Sequence, residues 1–110
     1  NTFDFVHSQQ SAEHWKEGLV PEIIWEICRV LKPGGLFYCV LDTPELFARQ
    51  NRGKDEDPTN ACLMPLEWWL EECRYSGGFT NVRSEYEQTM KDHGNSFHNL
   101  YDWDWFLVKK

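Results

Sequence analysis

The sequence predicts an α/β fold, a mostly parallel sheet with one antiparallel closing strand. Three observations lead there. Two short apolar runs, Phe3 to Val6 and Leu36 to Leu41, flank an amphipathic helical pattern, which is the rhythm of a parallel crossover. A proline and two glycines, Pro33-Gly34-Gly35, stop the helix and launch the second run. Two further strand patterns, Thr80 to Glu87 and Tyr101 to Val108, follow one another with no helical pattern between them and can pair only through a hairpin-like return.

Each element has its own cause. Phe3-Asp4-Phe5-Val6 reads as a buried strand whose carboxyl end opens into polar His7-Ser8-Gln9-Gln10. Val20, Ile23, Ile24, Ile27, Cys28 and Leu31 recur at three- and four-residue intervals, with Glu22, Glu26 and Arg29 opposite, so the spacing predicts a helix from about Val20 to Leu31. Pro21 suits its first turn, where a missing amide donor costs nothing. Leu36 to Leu41 is apolar on both faces, as a central parallel strand should be, and Asp42-Thr43-Pro44 ends it. Pro44 to Gln50 reads as a short helix and Asn51 to Pro58 as a charged surface loop. A second main helix is expected from about Pro65 to Ser76, burying Leu66, Trp69, Leu70 and Cys73, with Gly77-Gly78 as a left-handed cap. Thr80 to Glu87 alternates Val82, Ser84 and Tyr86 against Arg83, Glu85 and Glu87, which predicts a strand with one wet face. A polar connection around Asp92 to Asn95 leads to the last strand.

The totals exclude several classes. At 110 residues the chain has room for one small domain. No run approaches the ~18 apolar residues of a membrane span. The net charge of −7 argues against nonspecific binding to a phosphate backbone. The four cysteines, Cys28, Cys39, Cys62 and Cys73, form no C-x-x-C pair and read as free buried thiols, which points to a reducing compartment such as the cytoplasm.

Four segments carry a family resemblance. Phe3-Asp4-Phe5-Val6-His7-Ser8 resembles the fourth strand of class I S-adenosylmethionine-dependent methyltransferases, and Glu26 to Phe37, with Arg29-Val30-Leu31-Lys32-Pro33-Gly34-Gly35 at its centre, resembles their helix-to-strand junction. Gly78-Phe79-Thr80-Asn81-Val82 is similar to the turn into the sixth strand, and Trp105 to Val108 to the closing strand. The resemblance implies a Rossmann-like fold of which residues 1–110 are the C-terminal half, from the fourth strand to the last. It also implies that the glycine-rich loop and the ribose-binding acid of the N-terminal half lie outside this sequence. The expected strand order is first, second, fourth, third.

By the same resemblance His7, Ser8 and Gln9 lie beside the methionine part of S-adenosylmethionine, and Gln10, Glu13 and His14 face the acceptor. His14 is the candidate catalytic base, since an imidazole with a pKa near ~6.5 can take a proton from a hydroxyl; the alternative is that it only packs or caps. Gln10-Ser11-Ala12-Glu13-His14 is also similar to a metal-linked segment of quinone-biosynthesis O-methyltransferases, but Gln10 replaces the first acid there, and no metal is expected. The function implied is methyl transfer to a small-molecule oxygen or nitrogen, with weak cofactor binding and no activity for this chain alone. The alternatives are a non-catalytic methyltransferase-like module or partner subunit, and another α/β enzyme acting on a nucleotide sugar. The Phe3 to Val6 edge is expected to be covered by the N-terminal half or by a homodimer.

Overall fold

In a computed structural model, residues 2–9, 12–44, 62, 64–92 and 104–110 are described. Expectations for Gln10, for the short helix beyond its first residue Pro44, for the loop from Asn51 to Pro58 and for the start of the last strand at Tyr101 to Trp103 lie outside them. The described elements run β1 (Phe3–Gln9), α1 (Val20–Val30), β2 (Leu31–Leu41), α2 (Leu66–Gly77), β3 (Thr80–Asn81), α3 (Arg83–Asp92) and β4 (Asp104–Lys109). The sheet order is β1-β2-β4-β3. β1 and β2 are parallel, while β4 lies antiparallel between β2 and β3. This is the expected order, and the helix expected between the first two strands is there.

Register decides which residues meet the helices. Val6 and Ser8 pair with Phe37 and Cys39, which in turn pair with Val108 and Phe106. That face packs under α1 and α2 with Ile24, Trp69, Cys73 and Phe79 in one buried cluster. Phe37 meets Phe106 edge-on at 5.4 Å. The helices touch where Cys28 donates its thiol to the Gly77 carbonyl at 3.0 Å. A methyl group on Gly77 would lie 2.6 Å from the Phe79 ring and 3.3 Å from Cys28 Cβ, so side-chain absence permits this contact. Gly78, at φ 66°, ends α2 in the left-handed region as expected.

The junction between α1 and β2 is tighter than a simple turn. β2 pairs with β1 already at Leu31 opposite Phe3, and the next pair is Phe5 with Leu36. Two steps on β1 thus face five on β2, and Lys32 to Gly35 bulge outward. Gly34 adopts φ 83°, and a Cβ on Gly35 would stand 2.8 Å from the Lys32 carbonyl oxygen and 3.2 Å from that of Asp4. Lys110 closes the junction: its amine donates to the Cys28 and Leu31 carbonyls at 2.7 and 2.6 Å, satisfying acceptors at the end of α1.

The strand expected from Thr80 to Glu87 is corrected. Only Thr80–Asn81 pairs with β4, and the chain then turns into helix α3. Asn81 Oδ1 accepts from the Arg83 amide at 3.1 Å, as a helix cap does. Arg83 pairs with Glu87 at 3.0 Å and Gln88 with Asp92 at 2.9 Å, both four residues apart. These pairs require helical spacing and a two-residue period cannot supply them.

Candidate functional site at the carboxyl ends of β1 and β2

Ligands of open α/β sheets gather beyond the carboxyl ends of parallel strands. Here Gln9 ends β1 opposite Val40, so β2 ends at Leu41 just beyond it. Strand alternation divides the three residues expected near the cofactor. His7 and Gln9 are exposed on one face, and Ser8 points to the other. The His7 ring lies 5.1 Å from Tyr38. Ser8 Oγ is buried without a hydrogen-bond partner among the described residues.

Past Gln10, which is outside the described residues, a 3-10 turn spans Ala12–His14 and packs on β2. Ala12 anchors it, fully buried, and its carbonyl accepts the Trp15 amide at 3.1 Å. Glu13 lies within the turn, and His14 ends it with an exposed side chain. Trp15 packs edge-on to Trp69 at 6.2 Å, which ties the turn to α2. The backbone therefore brings His7, Ser8 and Gln9 to one strand end and sets His14 on a braced turn after it.

Sequence reasoning passed over the end of β2. Asp42 and Thr43 are both buried there, and the Thr43 hydroxyl donates to the Asp104 carboxylate. Their polar character directly after six apolar residues was the visible signal. Their partner was not visible, because it stands 61 positions away and arrives through the pairing of Leu41 with Asp104.

The face that carries His7 is partly open. Phe5, Leu36, Tyr38, Tyr86 and Leu107 line a groove of about 150 Å³ on it. Burial, and secondarily the nearby Tyr86, holds the Tyr38 phenol above its ordinary pKa. Arg83 lies over the Trp105 ring at 4.2 Å and donates to the Trp105 carbonyl at 2.8 Å, pinning α3 to this face. Among the described residues no group of three or more His, Cys, Asp or Glu side chains could hold a metal ion, and no helix is long and apolar enough to cross a membrane.

This fold is that of an α/β protein with its parallel strand ends opening on a candidate site. Residues 1–39 match the family model described as a methyltransferase domain. The fold is similar to Haemonchus contortus phospholethanolamine N-methyltransferase 2, solved with phosphomonomethylethanolamine and S-adenosylhomocysteine, at a TM-score of 0.55 and 18% identity. That match covers 98% of this chain and 33% of the other. The cyclase SpnF is similar at a TM-score of 0.55 and 19% identity, covering 100% of this chain and 50% of that one. No curated protein matches the chain. The chain thus resembles a methyltransferase domain in the sequence of residues 1–39, and its fold is similar to parts of both solved structures.

Proposed function

We propose that the chain contributes the acceptor side of an S-adenosylmethionine-dependent methyltransferase acting on a small-molecule oxygen or nitrogen, as part of a longer chain or assembly. The observation that carries this reading is the parallel β1–β2 pair, matched to a methyltransferase domain through residue 39, with His7, Ser8, Gln9 and His14 at or just beyond its carboxyl end. The cofactor when bound supplies an electrophilic methyl group on a sulfonium. In this reading His7, Ser8 and Gln9 meet its methionine part. Gln10 and Glu13 orient the acceptor, and His14 takes the acceptor proton as the methyl group is transferred. Positioning supplies most of the rate.

The residues fit the cofactor only in part. The described glycines stand at positions 18, 34, 35, 77 and 78, none of them at the carboxyl end of β1 or β2. In this reading a backbone cradle for the ribose and adenine comes from additional polypeptide, and the chain spans a third to a half of its structural neighbours. The same gap favours a second reading, a non-catalytic partner subunit with this fold. Fold likeness does not choose between them, since one neighbour is a cyclase.

Calorimetric titration with S-adenosylhomocysteine separates the readings. The 110-residue chain is expected to bind weakly or not at all and to show no turnover. A version extended upstream should bind with a micromolar dissociation constant, about −8 kcal/mol. Micromolar binding by the short chain would overturn the division of the pocket, and no binding by the extended one would favour the partner subunit.

A further inference from the structure

Helix α3 stands where a strand was expected, and the proposed function gives it no task. Its first residue is tied in three ways. The Arg83 guanidinium lies 4.2 Å from the centre of the Trp105 ring, donates to the Trp105 carbonyl at 2.8 Å and pairs with Glu87 at 3.0 Å. Trp105 is buried and belongs to a small cluster with Val40 and Leu107. The main core lies on the opposite face of the sheet.

From Trp105 a row of rings crosses the sheet. Tyr38 on β2 meets Trp105 at 5.8 Å, tilted by 49°, and His7 on β1 meets Tyr38 at 5.1 Å, tilted by 38°. Phe5 closes the row on the near flank, 6.4 Å from both Tyr38 and His7. These separations are those at which aromatic pairs attract. The strand register builds the row: His7 stands opposite Tyr38, and Trp105, opposite Val40, is the diagonal neighbour of Tyr38. Arg83 also acts on the Tyr38 phenol, whose pKa burial and Tyr86 hold up and Arg83 lowers.

We infer that α3 positions the His7 imidazole at the candidate site through this row, with Arg83 and Tyr38 as positioning residues. A ring flanked on both sides keeps one of its few staggered rotamers. Tyr38 has Trp105 on one side and His7 on the other, and Trp105 is itself held by Arg83. Releasing the guanidinium loosens the indole, then the phenol, then the imidazole. The path is contiguous, as coupling through packed side chains requires. His14 rides instead on the turn that Trp15 ties to Trp69 on the other face, so it should not respond. What His7 then does rests on the function proposed above; its placement by α3 does not.

Proton NMR of the 110-residue chain with labelled histidine tests the row, the His7 signals being those that vanish in His7→Gln. The Tyr38 ring current is expected to displace them from free-imidazole positions. Arg83→Ala should remove most of that displacement and leave the His14 signals in place. Arg83→Lys should restore it, and Arg74→Ala, on the surface of α2, should change nothing. Tyr38→Leu should abolish the displacement and Tyr38→Phe should keep it. If the amide spectrum shows that Arg83→Ala unfolds the chain, Glu87→Ala, which frees one side of the guanidinium, must move the His7 signals the same way. His7 signals that ignore these changes in a folded chain overturn the inference. The upstream-extended chain gives the second readout. There Arg83→Ala should weaken S-adenosylhomocysteine binding several-fold and Arg83→Lys should recover it, although two rings separate Arg83 from His7. Moved His7 signals with unchanged binding also overturn the positioning role. No binding by the unsubstituted extended chain counts against the proposed function alone, and the His7 signals then decide the inference.

Discussion

Phe37 and Phe5 are nearly neighbours on paired strands, yet one is 1% exposed and the other 52%. Phe37 points to the face under α1 and α2, and Phe5 points to the face where α3 covers only the far side, around Trp105. The chemistry of the two side chains is the same. Burial here is set by which helices reach which strands, so the two faces should answer differently to identical changes.

The largest effect belongs to the closed face. Phe37→Ala removes a ring packed against Phe79 and Phe106 and should cost about 3–5 kcal/mol, read by urea unfolding. Arg83→Ala tests the pinned part of the open face. It deletes a stacked cation, a bond to the Trp105 carbonyl and a pair with Glu87, and should cost about 1–2 kcal/mol. Its control is Arg74→Ala, whose pair with Glu71 is more than half exposed on both sides, so its loss should leave the unfolding midpoint nearly unchanged. Phe5→Ala, measured where the chain is monomeric, should fall below about 1 kcal/mol. A cost equal to that of Phe37→Ala would erase the distinction between faces.

The smallest effect at neutral pH sharpens the closed face from another side. Burial, chiefly, and then Glu72 push the Cys73 thiol up to about 12 from an ordinary value of 9.0. The unfolded chain therefore releases this proton first. The contribution to stability is complete below about pH 9 and is lost as pH rises toward 12. Thermal unfolding followed from pH 7 to 11 should show the fall above 9, and Cys73→Ala should lessen that fall.

Much of this architecture was legible before any coordinates. Helix α1 announced itself because its apolar residues fall on one stripe, and the β1-β2-β4-β3 order came with the resemblance carried by Arg29 to Gly35. The segment after Asn81 was misread because Val82, Ser84 and Tyr86 satisfy a two-residue period, while Arg83–Glu87 and Gln88–Asp92 satisfy a helical one. Over so short a window both patterns are present, and the two-residue β3 leaves no further ladder to hold a strand. At the site, His7, Ser8 and Gln9 were legible as a polar strand end. Their division between two faces required the strand to run on to Gln9, and the meeting of Thr43 with Asp104 across 61 positions required the register.

The strand that arrives last in the sequence sits inside the sheet, between β2 and β3. Its order has a consequence in time. As the chain leaves the ribosome, β2 emerges more than sixty residues before the neighbour that completes its pairing, and β3 has no strand beside it until Asp104 to Lys109 follow. Contacts at such separation are slow to form, because a long loop must close before any of them is rewarded. Until β4 slots in, the apolar edge of β2 is exposed to other nascent chains. During synthesis, this segment stays vulnerable to aggregation until β4 is released and the sheet locks from the centre outward.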